Sequence, residues 1–174
     1  MGRISREAMF MEMARSAAKR STCSRLNVGA LVVMENSPIS VGWNGAAAGE
    51  PHCAGNDCPG MVPGKCPSLH AESNALGKAS SIIKAGTEVD LYVTHNPCEL
   101  CSLVIQQSDL HIGRILFEIP YRSTQHLGMF SRPYPDPRLG QGTSEVFQRV
   151  TGIYEVTPAG YIVEYFSREV VEVI

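Results

Sequence analysis

Two short motifs constrain this chain more than any other feature: His70-Ala71-Glu72 and Pro97-Cys98-Glu99-Leu100-Cys101. Each stands at the start of an expected helix. Between them, Val89 to His95 alternates like a strand. The first helix runs from His70 to about Ala85, where Gly86 breaks it. Pro97 opens the second without loss, since its missing N–H would be unpaired there, and residues 98–109 continue it. Cysteines three apart on a first helical turn share a face and reach one ion, and the dipole at a helix start favours the thiolate. One imidazole (His70) and two thiolates (Cys98, Cys101) fill the three protein positions of a catalytic zinc site, which keeps a fourth for water. Glu72, two residues past the histidine, is placed beside that position without being a ligand. A C-x-x-C alone is as readily a structural half-site or a redox pair, and an H-x-E alone says little. Both together, each opening a helix on either side of one strand, point to catalysis.

The rest of the chain supplies a frame for these motifs. Residues 4–20 carry Ile4, Ala8, Met11, Ala14 and Ala18 at amphipathic helical spacing; Met9, Met11, Met13 and Phe10 read as packing for that helix. Residues 28–34 and 39–43 read as a hairpin turning at Asn36-Ser37-Pro38. Residues 44–69 are rich in Gly, Pro and Cys without periodicity, so this loop is functional or stapled. Residues 114–119 form another expected strand and 120–143 a loop. A short helix is expected over 144–150, and a final hairpin flanks Pro158-Ala159-Gly160. The strand–helix–strand–helix–strand middle argues for a layered α/β fold, and 174 residues suit one domain, 1–174. With 15 basic and 17 acidic side chains the formal charge is −2, which gives no support to a general nucleic-acid binder. The N-terminal segment lacks the apolar core of a signal peptide, and no run of about 18 apolar residues spans a membrane. A cytoplasmic location is expected. Reducing conditions there turn the six cysteines toward metal binding or catalysis.

The H-x-E … P-C-x-x-C pattern is the signature of zinc nucleobase deaminases. Further segments carry a closer match: Ser21-Thr22-Cys23-Ser24-Arg25 before Val28-Gly29-Ala30; Gly42-Trp43-Asn44-Gly45; Pro51-His52-Cys53; and His70 to Ala75. On these residues the chain resembles the cytidine deaminase superfamily, and within it the deoxycytidylate (dCMP) deaminases, over about residues 5–122. Residues 123–174 form an extension of the same domain with no recognised pattern. The resemblance implies a three-layer α-β-α fold around a mixed sheet of about five strands. It also implies zinc-dependent hydrolysis of dCMP to dUMP, with Glu72 moving the protons. Asn44, Arg25, Asn74 and Tyr121 are the substrate contacts it implies. Each has a plainer reading: Asn44-Gly45 is a favourable turn pair, Arg25 a solvated loop charge, Asn74 a helix-backbone partner.

The resemblance further implies a homo-oligomer, a hexamer in the family, and a regulatory dCTP site with Mg2+. Trp43 where Tyr is usual, Ala46-Ala47-Ala48-Gly49 and Arg122 depart from the pattern. They weigh against that regulation and leave room for a 5-modified dCMP as substrate. Some family members carry a second zinc with a cysteine matching Cys23. Cys23, Cys53, Cys58 and Cys66 would complete such a tetrahedral structural site. A structural zinc contributes on the order of 10 kcal/mol to folding. Buried thiols, or His52 in place of one of them, are the alternatives. Rival functions are a tRNA adenosine deaminase, which the −2 charge disfavours, and a zinc-stapled binding module without catalysis, which has no use for Glu72. His95, His111 and His126 are ordinary residues by sequence, although His95 stands close enough to Cys98 for a pocket role.

Overall fold

A computed structural model describes residues 3–53, 58, 66–120, 127, 130, 150, 152–157 and 162–167. Six strands form one mixed sheet in the order β2-β1-β3-β4-β5-β6: β1 Gly29–Met34, β2 Ser37–Trp43, β3 Glu88–His95, β4 His111–Ile119, β5 Gly152–Val156 and β6 Ile162–Ser167. The pairs β1–β2, β1–β3 and β5–β6 are antiparallel, whereas β3–β4 and β4–β5 are parallel. Among the described residues three helices cover it: α1 Arg6–Ala18, α2 Ala71–Ser80 and α3 Glu99–Gln107. The sheet agrees with the expected mixed sheet of about five strands, with the final hairpin, β5 and β6, joining it beyond β4.

The faces carry separate cores, which makes the fold three-layered. On one side α1 places Phe10, Met11 and Ala14 against Leu31, Val33, Tyr92 and Leu116. Ser5 caps this helix by accepting from the Ala8 N–H at 3.1 Å. That cap leaves Ile4, counted above with the apolar stripe, outside the helix and exposed. On the other side Ala71, Ala75 and Ala79 of α2 and Ile105 of α3 pack on Val32, Leu91, Val93, Ile115 and Phe117. The strands between are buried on both faces, as their apolar runs require.

Two local expectations shift. The first hairpin turns at Glu35-Asn36, both with positive φ (47° and 65°), rather than at Asn36-Ser37-Pro38. Two central residues of positive φ match the twist of the flanking strands. Pro38 instead lies within β2, an edge strand beside a register shift, where a missing N–H is tolerated. The second helix ends at Ser80 and not near Ala85: Ser81 Oγ donates to the Lys78 carbonyl, and the N–H groups of Ile82 and Ile83 both turn back to Ala79. Of the helix expected over 144–150 only Val150 is described, outside any helix, and the turn at 158–160 lies outside the described residues. No helix among those described is long and apolar enough to cross a membrane.

Candidate metal centre and nucleotide site

Close packing of α2 on β2 sets the position of the first motif. A Cβ at Gly42 would collide with the Ala71 carbonyl and the Ala75 N–H, so only glycine lets the first turn of α2 lie against the strand. Ser40 Oγ adds a bond to the Ala75 carbonyl at 2.7 Å. Just upstream, Leu69 and Gly45 exchange two backbone hydrogen bonds (2.9 and 3.1 Å), and Thr22 Oγ1 accepts from Ala46 N–H. The chain therefore enters α2 from a fixed direction. His70 is the N-cap residue, in extended conformation, and its side chain makes no capping bond. The second motif repeats the design, with extended Cys98 as the N-cap of α3 and its carbonyl accepting from Ser102 N–H at 2.8 Å.

The two helix starts converge. His70 Nδ1 lies 3.2 Å from Cys101 Sγ and 3.4 Å from Cys98 Sγ. All three ligand atoms fall within 4.8 Å of one another, the only such group of three or more among the described residues. Protons are shared inside the cluster. Cys98 is held down to about 3, chiefly because the Cys101 thiol donates to it and also because His70 does, against the opposing effect of burial. The same Cys98–Cys101 bond, followed by burial, pushes the Cys101 thiol up. His70 is raised foremost by its bond to Cys98. Two sulfurs and an imidazole competing for protons around one point are the donor set of a borderline-soft cation, so the residues fit zinc. Glu72 is 3% exposed, and burial raises its carboxyl above the ordinary range. It touches Cys101 yet does not join the ligand group, as its place in the motif suggests.

The other expected site residues are distributed differently. Asn44 is 8% exposed; its Oδ1 accepts from Val28 N–H at 2.8 Å and its Nδ2 donates to the Leu26 carbonyl at 2.7 Å. A carboxamide so used still has one donor and one acceptor position for a ligand. Asn74 Nδ2 donates to the Trp43 carbonyl at 2.8 Å, tying α2 to the end of β2. Lys78 Nζ lies 4.5 Å from the Trp43 ring centre and the Arg20 guanidinium 5.7 Å from it. Arg25 is exposed in the loop before β1, and Tyr121 lies outside the described residues. Cys23 and Cys53 are half-buried, Cys58 buried and Cys66 exposed. Cys53 Sγ sits 3.6 Å from Ser68 Oγ, and these four cysteines are not drawn into a second ligand group. Sequence reading passed over Thr94, a buried hydroxyl at the end of β3. A polar residue closing an apolar strand just before Pro-Cys was the available signal.

A buried carboxylate beside a His-Cys-Cys group, set at helix starts on a mixed sheet, defines an α/β fold with a zinc-type ligand site. Residues 4–119 match the family model of the cytidine and deoxycytidylate deaminase zinc-binding region, and the chain belongs to that family. ComE operon protein 2 of Bacillus subtilis is 41% identical over 108 residues, covering 61% of this chain and 57% of that one. This chain therefore matches little more than half the length of that relative. The deoxycytidylate deaminase of Mycobacterium phage D29 is 37% identical over 123 residues, 63% of this chain and 93% of its own. The crystal structure of dCMP deaminase from the cyanophage S-TIM5, in complex with dCMP and dUMP, superposes with a TM-score of 0.58 at 32% identity, covering 68% of this chain and 85% of that one.

Proposed function

We propose that this protein hydrolyses dCMP to dUMP and ammonia, using zinc held by His70, Cys98 and Cys101. The observation that carries this reading is the buried Glu72 carboxyl standing beside, but outside, a three-ligand group. When bound, zinc acts as a Lewis acid that makes water nucleophilic near neutral pH. Glu72 moves the protons. Burial lets its carboxyl hold one at the site, so it accepts the proton of the attacking water and delivers it to the ring nitrogen. Once water's oxygen is bonded to C4, Glu72 takes the remaining hydroxyl proton and passes it to the amino nitrogen, so that the C4–N bond breaks, ammonia leaves and the C4 carbonyl forms. One carboxylate thus serves as base and then acid.

Asn44 meets the sugar 3′-hydroxyl or the phosphate in this reading, Arg25 and Asn74 meet phosphate or sugar, and Tyr121 caps the phosphate end. The complex of the cyanophage relative with dCMP and dUMP supports a nucleotide ligand of this class. The cysteine count supports a second, structural zinc on Cys23, Cys53, Cys58 and Cys66; elemental analysis then finds two zinc ions per chain, and one rejects that site. A homo-oligomer and a cytoplasmic location complete the proposal, with residues 123–174 in the same domain. The departures at Trp43 and Ala46 to Gly49 weigh against dCTP–Mg2+ regulation, which a dCTP titration at low dCMP tests. Ammonia release is measured from dCMP, a 5-substituted dCMP, deoxycytidine, cytidine, dCTP and a tRNA anticodon stem-loop. Release from dCMP in preference to the others supports the assignment, and release only from RNA overturns it.

A further inference from the structure

β2 is the first strand of the sheet, so among the described residues one of its sides has no strand beside it. An edge of this kind offers N–H and C=O groups to any other strand, above all to the same edge of a second copy. The first half of β2 is blunted by its sequence: Pro38 lacks an N–H, and the register shifts beside it. The second half has neither device. Val41 and Trp43 lie opposite Leu31 and Gly29 of β1, and Asn44 N–H donates to the Val28 carbonyl at 3.1 Å. Hydrogen-bonded and open pairs alternate along an antiparallel ladder, so Val41 and Trp43 turn their backbone groups away from β1 and toward the edge.

Two side chains of α2 take these carbonyls. Asn74 Nδ2 donates to that of Trp43 at 2.8 Å, and Lys78 Nζ to that of Val41 at 2.8 Å. The spacings match: residues four apart on a helix are about 6 Å apart along its axis, and carbonyls two apart on a strand about 6.6 Å. The Lys78 ammonium also lies 4.5 Å from the Trp43 ring centre, and the Arg20 guanidinium 5.7 Å from it. Neither cation forms an ion pair among the described residues, so a second edge of the same kind meets like charge. We propose that Lys78, with Asn74, closes β2 against strand addition, and that the partner it excludes is β2 of a second copy in antiparallel register. A strand arriving there has to break the Lys78 bond and cover its ammonium without a counter-charge. The closure concerns this edge alone and leaves assembly through other surfaces open.

Three variants of the zinc-loaded full chain test it. Lys78→Met keeps the aliphatic stem and removes the donor and the charge, whereas Lys78→Arg keeps both. Lys84, exposed beyond the end of α2, supplies the control Lys84→Met for the loss of one surface charge. Light scattering across a dilution series should give Lys78→Met about twice the wild-type mass at the concentrated end, as an isologous pair requires. Hydrogen exchange in the same samples should slow at the amides of Val41 and Trp43, which face the edge. Lys78→Arg and Lys84→Met should match wild type in both measurements. Wild-type mass for Lys78→Met throughout the series overturns the proposal. So does association without slowed exchange at Val41 and Trp43, or equal association in Lys78→Arg or Lys84→Met. Should Lys78→Met fail to fold, Lys78→Ala is judged by the same mass and exchange criteria. Neither readout depends on the reaction catalysed, so the outcome stands whatever the substrate proves to be.

Discussion

The two groups of cysteines in this chain are built in different ways. Cys98 and Cys101 sit on the first turn of α3, and His70 caps α2; both helices pack on the same sheet face, and their starts bring three ligand atoms within 4.8 Å. Cys23, Cys53, Cys58 and Cys66 lie outside helices and strands, and they are not gathered in the same way. Regular elements preorganise ligands because a helix turn fixes side-chain spacing before any ion arrives. A loop must borrow that order from elsewhere.

The largest effect expected from breaking this arrangement is catalytic. Glu72→Gln should retain zinc and lose about 10²–10⁴-fold in kcat, the range of a lost general acid–base group; near wild-type turnover in zinc-loaded protein would remove Glu72 from the mechanism. Next comes the metal. Cys101→Ala should lower zinc by about one ion per chain, read by elemental analysis, because three protein ligands hold that site. Cys66→Ser should leave that ion and the activity on dCMP in place, and parallel loss in both variants would erase the distinction between the groups. Ile105→Ala comes third. This side chain is fully buried beneath α3, so chemical denaturation should show a loss of about 2–5 kcal/mol. The smallest effect is at Ser102, whose buried Oγ has no partner among the described residues. Ser102→Ala should be neutral or stabilising by about 1 kcal/mol; a clear loss of stability or zinc would show that the hydroxyl supports the ligand turn.

Much of the ligand-bearing end was legible because its signals are local. Pro97 marks a helix start and the 89–95 alternation a strand; β3 and α3 appear with shifts of a few residues at their ends. The misplaced turn and the shortened second helix were decided by contacts no local pattern shows. Pro38 reads as a turn former until it is known to lie on a sheet edge, and Ser81 reads as a helical residue until its hydroxyl meets the Lys78 carbonyl. Asn44 carries the same lesson in the site. Its place before Gly45 suggests a turn or a ligand, but only the fold shows its amide bridging Leu26 and Val28.

By itself the sequence determined the donor set, the carboxylate beside it, the layered α/β class and the family, since these rest on residue identity and short-range spacing. The tertiary structure decided the strand order, the burial that raises Glu72, the convergence of two helix starts on one point and the bonds from Asn74 and Lys78 to the edge of β2. These depend on partners far apart in the chain: Gly42 against Ala71, Val41 against Lys78, His70 against Cys101. Spacing along a chain specifies which groups are available. Packing across the sheet sets the distances and the dielectric in which they act.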